Sequence, residues 1–253
     1  MDAFFIVRKY LYSMQKQYGL IGYPLTHSFS PAYFHAKFDR ERIDAAYAAF
    51  PIHEIEELPK LIIHHPKLAG LNVTIPYKQQ VITYLDELDV AAKAIGAVNC
   101  IDIRDNRLTG YNTDYIGFMH SLPLLQTHHT HALILGTGGA SKAVAYALQQ
   151  LGITYKVVSR TGGDLTYDAL NNEIIASHKL IINTTPVGMY PDVDAAPFIP
   201  YQALTKEHLL YDLIYNPEET QFLSLGKARG AAIKNGYEML MLQADESWRI
   251  WNS

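Results

Sequence analysis

The chain has 253 residues, of which 49% are hydrophobic and 18% charged, and its net charge is -4. That composition suits one or two compact domains with a real core, and the charge excludes a bulk basic field for nucleic acid or an anionic membrane. The single cysteine, Cys100, excludes an internal disulfide framework and fits a reducing, cytoplasmic setting. No apolar run reaches the about 20 residues that a bilayer span needs. At the N-terminus an acid comes first, Arg8-Lys9 cut the apolar run short, and no small-residue cleavage site follows, so no signal peptide is expected. Residues 1–13 read either as a dispensable extension ahead of Met14 or as an extra helix.

Tyr18-Gly19-Leu20-Ile21-Gly22 reads as a buried strand running into a turn. Residues 23–31 form a loop that ends at a helix, with Ser30 as the expected N-cap and Pro31 at the first helical position. A helix N-terminus flanked by the hydroxyls of Ser28 and Ser30 is a seat for an anion such as a carboxylate. Both serines equally suit a plain cap and turn. A helix is expected over 32–40, a strand over 45–50 and a helical stretch over 54–65.

Leu71-Asn72-Val73-Thr74-Ile75-Pro76-Tyr77-Lys78 reads as a strand that stops at Pro76, which cannot donate to a sheet ladder. Lys78 is thereby delivered at an element end, where functional groups concentrate. Its expected partner is Asp114, in Gly110-Tyr111-Asn112-Thr113-Asp114. A lysine and an aspartate make a proton-transfer pair when burial and mutual charge tune them, and otherwise a plain salt bridge. Between them, helices are expected over 79–85 and 89–95, and Asn99 closes a turn that enters a strand. Strands alternating with helices predict an α/β fold with mostly parallel strands.

A second unit begins near Tyr115. His131-Ala132-Leu133-Ile134-Leu135 is a buried strand, followed by Gly136-Thr137-Gly138-Gly139-Ala140-Ser141 and a helix over 142–151. Strand, glycine turn and helix in that order give the context of a dinucleotide fingerprint. Gly136 permits the tight turn and Gly138 a close approach of backbone to pyrophosphate, while Ser141 replaces the usual third glycine. The next strand, 155–158, ends in Ser159-Arg160-Thr161, with no acid for a ribose 2′-hydroxyl. A guanidinium binds a 2′-phosphate, so NADP is favoured over NAD; Asp164 works against this and leaves dual use open. Strands over 180–185, 209–215 and 231–234 should carry loops that line the same crevice. The last helix, 238–251, is mainly core, with Gln243 as a polar residue on it. The histidines at 64–65 and 128–131 lack metal-ligand spacing; the second group reads as solvated loop, and no metal is expected.

Taken together, these segments resemble the shikimate dehydrogenase family. The resemblance runs from Gln17 to Trp251 and rests on His27-Ser28-Phe29-Ser30-Pro31, the Asn-Val-Thr-x-Pro-x-Lys stretch ending at Lys78, Gly96-Ala97-Val98-Asn99 and Asn112-Thr113-Asp114. It continues through the glycine turn, Ser159-Arg160-Thr161, Asn183-Thr184-Thr185-Pro186-Val187-Gly188-Met189, Asp212-Leu213-Ile214-Tyr215-Asn216-Pro217 and residues 236–243. It implies interconversion of 3-dehydroshikimate and shikimate with NADP(H), in aromatic amino-acid biosynthesis. It also implies an α/β substrate domain (1–114 plus 238–253) and a Rossmann-type NADP-binding domain (115–237), with the active site in the cleft between them. The C-terminal helix would pack back on the first. By the same resemblance Lys78 and Asp114 are the catalytic pair, and Ser28, Ser30, Thr74, Asn99, Tyr215 and Gln243 bind substrate. Gly136, Thr137, Gly138, Gly139, Ala140, Ser159, Arg160, Thr161, Met189 and Gly236 would hold the cofactor. Family members often carry asparagine at the position of Ser159, a second basic residue at that of Asp164 and threonine at that of Cys100. Other readings are a quinate/shikimate dehydrogenase using NAD and a non-catalytic dinucleotide sensor. The partners expected are small molecules, with no nucleic acid or membrane, acting on a monomer or homodimer.

Overall fold

The computed structural model describes residues 15–26, 28–122 and 129–253. The readings of residues 1–13, of His27 and of His128 lie outside the described residues. The chain divides into two compact units, one running to Thr113 and taking in Ala244–Ser253, the other spanning Asp114–Gln243.

The first unit holds a six-stranded sheet of β1 (Lys16–Gly22), β2 (Ala45–Pro51), β3 (Leu68–Val73), β4 (Glu87–Leu88), β5 (Cys100–Arg104) and β6 (Arg107–Tyr111), in the order β2-β1-β3-β5-β6-β4. β1 runs parallel to β2 and β3, but β5 is antiparallel to both its neighbours. The expected parallel run is thus interrupted. Asp105 and Asn106 sit at φ 52° and 60° between paired Arg104 and Arg107. Two left-handed residues make a tight hairpin turn that sends the chain straight back.

α1 (Phe29–Glu41) starts earlier than expected, with Ser28 at the N-cap and Ser30 already inside the first turn. Pro31 fits there because first-turn amides have no intrahelical partner to lose. α2 (Leu58–His64) follows a short 3-10 turn over Ile55–Glu57, and a 3-10 helix spans Gln80–Tyr84 where a regular helix is expected. α3 (Val90–Ile95) is capped by the Asp89 carboxylate, which accepts from the Ala91 and Ala92 amides. One face of the sheet buries Ile21, Leu71, Val73 and Ile101 against Leu58 and Val81. The other packs an aromatic layer of Tyr18, Phe34, Phe38, Tyr47 and Trp251. Trp251 comes from the end of the last helix, and its indole donates to the Ile101 carbonyl at 2.9 Å.

The second unit holds α4 (Asp114–Ser121) and a parallel sheet of β7 (His131–Leu135), β8 (Thr154–Ser159), β9 (Leu165–Thr166), β10 (Leu180–Asn183), β11 (Leu209–Asp212) and β12 (Ala232–Lys234). The order is β12-β11-β10-β7-β8-β9, every pairing parallel. α5 (Gly139–Gln150), α6 (Asn172–Ser177) and α7 (Gln221–Lys227) connect the strands. α8 (Tyr237–Trp251) is the last helix, its residues up to Gln243 belonging to this unit and the remainder to the first. Leu133, Ile134, Ile181, Ile182 and Leu210 are fully buried, as strands covered on both faces require.

β10 and β11 stop short of the expected ends. Asn183 Oδ1 accepts from the Thr185 amide and Asp212 Oδ1 from the Ile214 amide, each at 3.0 Å. These side-chain turns draw both strands out of the ladder. α5 begins at Gly139, inside the glycine turn. His129, expected in solvent, is buried, with Nε2 bonded to the Glu207 carbonyl at 3.1 Å.

Candidate active site

In the first unit the expected ligand-binding residues gather at the carboxyl ends of β1 and β3. The Thr74 amide donates to Ile21 O at 2.9 Å, and the Tyr23 amide to Ile75 O at 3.1 Å. Gly22 lies so close to Thr74 that a Cβ there would overlap the threonine methyl. The loop that carries Ser28 and Ser30 is therefore tied to the turn that carries Thr74. Ser28 makes no side-chain cap with its own helix, so its hydroxyl is not spent on α1. The turn is anchored by buried Tyr77, whose hydroxyl donates to Ile52 O at 2.8 Å.

Half-buried Lys78 follows directly. Its carbonyl accepts the Val98 amide at 2.7 Å, which holds it beside Asn99. Asn99 is itself clamped: Oδ1 accepts the Thr113 amide at 2.6 Å, and Nδ2 donates to Thr113 Oγ1 at 2.9 Å. Asp114 is the next residue in the chain and opens α4, where the helix dipole favours a carboxylate. It is buried, 6% exposed. The structure thus brings Ser28, Ser30, Thr74, Lys78 and Asn99 to one edge of the first unit. Asp114, Tyr215 and Gln243 fall in the second. Tyr215 lies just past β11, half-buried, and burial pushes its phenol up. Gln243 is buried on α8, with Nε2 donating to Leu240 O at 2.8 Å.

The second unit places the glycine turn at the carboxyl end of β7, between β8 and β10. Gly136 has φ +113°, its amide donates to Val158 O at 2.8 Å, and a Cβ on it would sit 2.8 Å from Thr184 Oγ1. Only glycine fits there. Gly138 is different: as N-cap of α5 it would place a Cβ within 4 Å of nothing. Open space over a helix N-terminus is what close approach of a phosphate needs. Thr137, Gly139 and Ala140 continue the turn around that N-terminus. Ser141, at the position of the missing third glycine, donates its hydroxyl to Gly136 O at 2.7 Å and ties the turn to the helix.

At the end of β8, buried Ser159 donates to the Thr161 carbonyl at 2.6 Å and shapes the loop from which exposed Arg160 projects. The Asp164 carboxylate accepts the Val157 amide at 2.7 Å. It is engaged with backbone upstream of the loop. Met189 is exposed on the loop after β10. Gly236 packs against the Leu213 backbone with no room for a side chain, and its amide donates to Ile214 O at 3.1 Å.

One buried polar cluster escaped the sequence reading. Asp212, fully buried at the end of β11, accepts from Thr220 Oγ1 at 2.6 Å, the Ile214 amide at 3.0 Å and Asn183 Nδ2 at 3.0 Å. Burial pushes its carboxyl up to about 6, against these hydrogen bonds, which pull it down. It joins the loop leading to Met189, the loop leading to Tyr215 and the N-cap of α7. The available signal was two polar residues, Asn183 and Asp212, ending otherwise apolar runs.

The family model described as "Shikimate dehydrogenase substrate binding domain" matches residues 20–101. The shikimate dehydrogenase (NADP(+)) of Clostridium beijerinckii is 43% identical, over 92% of this chain and 91% of its own. A crystal structure of shikimate dehydrogenase in complex with NADP+ superposes with a TM-score of 0.84 at 34% identity, covering 94% of this chain and 90% of that one. The shikimate 5-dehydrogenase of Thermus thermophilus in complex with NADP(H) and shikimate gives 0.82 at 32% identity, covering 94% and 93%. With the glycine turn, the Asn-Val-Thr-x-Pro-x-Lys turn and relatives named shikimate dehydrogenase (NADP(+)) aligned over nine-tenths of both chains, this chain belongs to the shikimate dehydrogenase family and is an NADP-dependent oxidoreductase.

Proposed function

We propose that this chain catalyses the reversible reduction of 3-dehydroshikimate to shikimate with NADP(H), a step of aromatic amino-acid biosynthesis. The observation that carries this reading is the tie between the Lys78 turn and Asn99, with Asn99 clamped on the residue before Asp114. Reduction needs a hydride at the carbonyl carbon and a proton at its oxygen, and the nicotinamide supplies the hydride. Lys78, as ammonium, hydrogen-bonds the carbonyl oxygen, stabilises the charge developing on it and delivers or orients the proton. Asp114 accepts from the lysine or from the neighbouring ring hydroxyl and holds both in line.

Ser28 and Ser30 donate to the substrate carboxylate, and Thr74, Asn99 and Gln243 hold the ring hydroxyls, with Tyr215 close to ring and nicotinamide. The glycine turn over 136–140 receives the pyrophosphate. Arg160, flanked by Ser159 and Thr161, takes the 2′-phosphate. The engagement of Asp164 with the Val157 amide supports NADP, because that carboxylate already serves the backbone. Met189 and Gly236 lie on the loops that border the nicotinamide. The same reading has the enzyme work in the cytoplasm on small molecules. No helix among the described residues is long and apolar enough to cross a membrane.

The test is an absorbance assay at the nicotinamide band with shikimate and NADP+, run in parallel with quinate and with NAD+. Turnover of shikimate with NADP+ supports the reading. Cofactor binding with no turnover would replace the enzyme by a sensor, and a preference for quinate with NAD+ would move it to the quinate branch.

A further inference from the structure

A chain of buried polar side chains runs through the first unit behind the residues assigned to the ligand. Tyr47 Oη donates to Asn72 Oδ1 at 2.8 Å. Asn72 Nδ2 donates to Ser247 Oγ at 2.9 Å and to the Asn99 carbonyl at 3.3 Å. Ser247 Oγ lies 3.3 Å from Thr113 Oγ1, which accepts from Asn99 Nδ2 at 2.9 Å. Tyr47, Asn72, Ser247 and Thr113 are at most 4% exposed.

The direction of these bonds is determined. A backbone carbonyl can only accept, so the amide nitrogen of Asn72 must face Asn99 and its oxygen must face Tyr47. Tyr47 therefore donates to Asn72. In such a buried path an unpaired group is costly, so neither end turns freely.

We infer that Tyr47, Asn72, Ser247 and Thr113 are a positioning network for the substrate: it sets the amide plane of Asn99, whose carbonyl is held by Asn72 and whose side chain is held by Thr113. The hydroxyl-holding amide is thereby fixed by side chains that are not themselves assigned to the ligand. The inference rests on the assignment of Asn99 to the substrate.

Tyr47→Phe tests it, because the ring and its stacking on Phe34, 4.5 Å between centroids, are kept and only the hydroxyl is lost. The KM for shikimate should rise roughly tenfold, with the KM for NADP+ unchanged and kcat within about threefold. In a double-mutant cycle, Tyr47→Phe combined with Asn99→Ala should be no worse in KM than Asn99→Ala alone, since the phenol acts through that amide. Ser247→Ala cycled with Asn99→Ala gives the same test and decides the matter if Tyr47→Phe does not fold. Additive penalties in the cycle, or a lowered Tm with an unchanged KM for shikimate, would overturn the network. Failure of the wild-type enzyme to turn over shikimate is a separate result, seen before any variant is made, and removes both this inference and the function it rests on.

Discussion

Replacing Asp212 is the most demanding test of the second unit. In Asp212→Ala three donors lose their acceptor together: the Thr220 hydroxyl, the Ile214 amide and Asn183 Nδ2. All three belong to residues with little or no access to water, and a buried unsatisfied donor costs ~1–3 kcal/mol. Allowing for partial relaxation, the loss should be at least ~3 kcal/mol, or a fall in Tm of roughly 10 °C. Asp212→Asn should behave very differently. Its Oδ1 still accepts from Ile214 and Asn183, its new amide faces Thr220, and the hydroxyl can turn to accept it. Loss of the charge also removes the desolvation that pushes the native carboxyl up to about 6. The expected cost is only ~1 kcal/mol. Thermal unfolding of both variants at pH 7, followed by calorimetry, separates the two cases. Equal destabilisation by Ala and Asn would refute the account, because charge and not donor satisfaction would then be holding the loops.

Lys78→Ala should lower kcat at least ~100-fold with little change in KM, as loss of an interaction made in the transition state does; near-normal turnover would remove Lys78 from the chemistry. Arg160→Ala should raise the KM for NADPH far more than that for NADH, and equal effects would show that the guanidinium does not read the 2′-phosphate. His208 supplies a pH dependence. Its Nε2 meets the Ile175 carbonyl at 3.0 Å and its Nδ1 the Thr205 amide at 3.0 Å, which suits the neutral ring. Burial pushes this imidazole below its ordinary 6.5. The unfolded chain takes up the proton first as pH falls, so this contribution is present above about 6.5 and is lost below it. His208→Asn should therefore lower Tm at pH 7 and flatten the decline in Tm between pH 7 and 5; an unchanged slope would exclude His208 as the cause.

Much of this molecule is legible in short stretches of sequence because those signals act within about ten residues. Gly136 is demanded by its own φ of +113°, and Asp89 announces a helix by accepting from the Ala91 and Ala92 amides. The glycine turn between a buried strand and a helix is set by the same local geometry. So is the absence of an acid at the end of β8. What the chain alone left open was decided by partners far away in sequence. The return of β6 along β5 follows from a two-residue turn, but the antiparallel seating of β5 on β3 shows only when the sheet is assembled. Tyr47 meets Asn72 across 25 residues, and Asn72 meets Ser247 across 175. No periodicity or propensity records such a pairing, because it exists only once the hydrophobic layers have closed and each buried polar group must find whatever donor or acceptor lies within about 3 Å. The sequence determined which residues could do the chemistry; folding decided which buried side chains hold them in place.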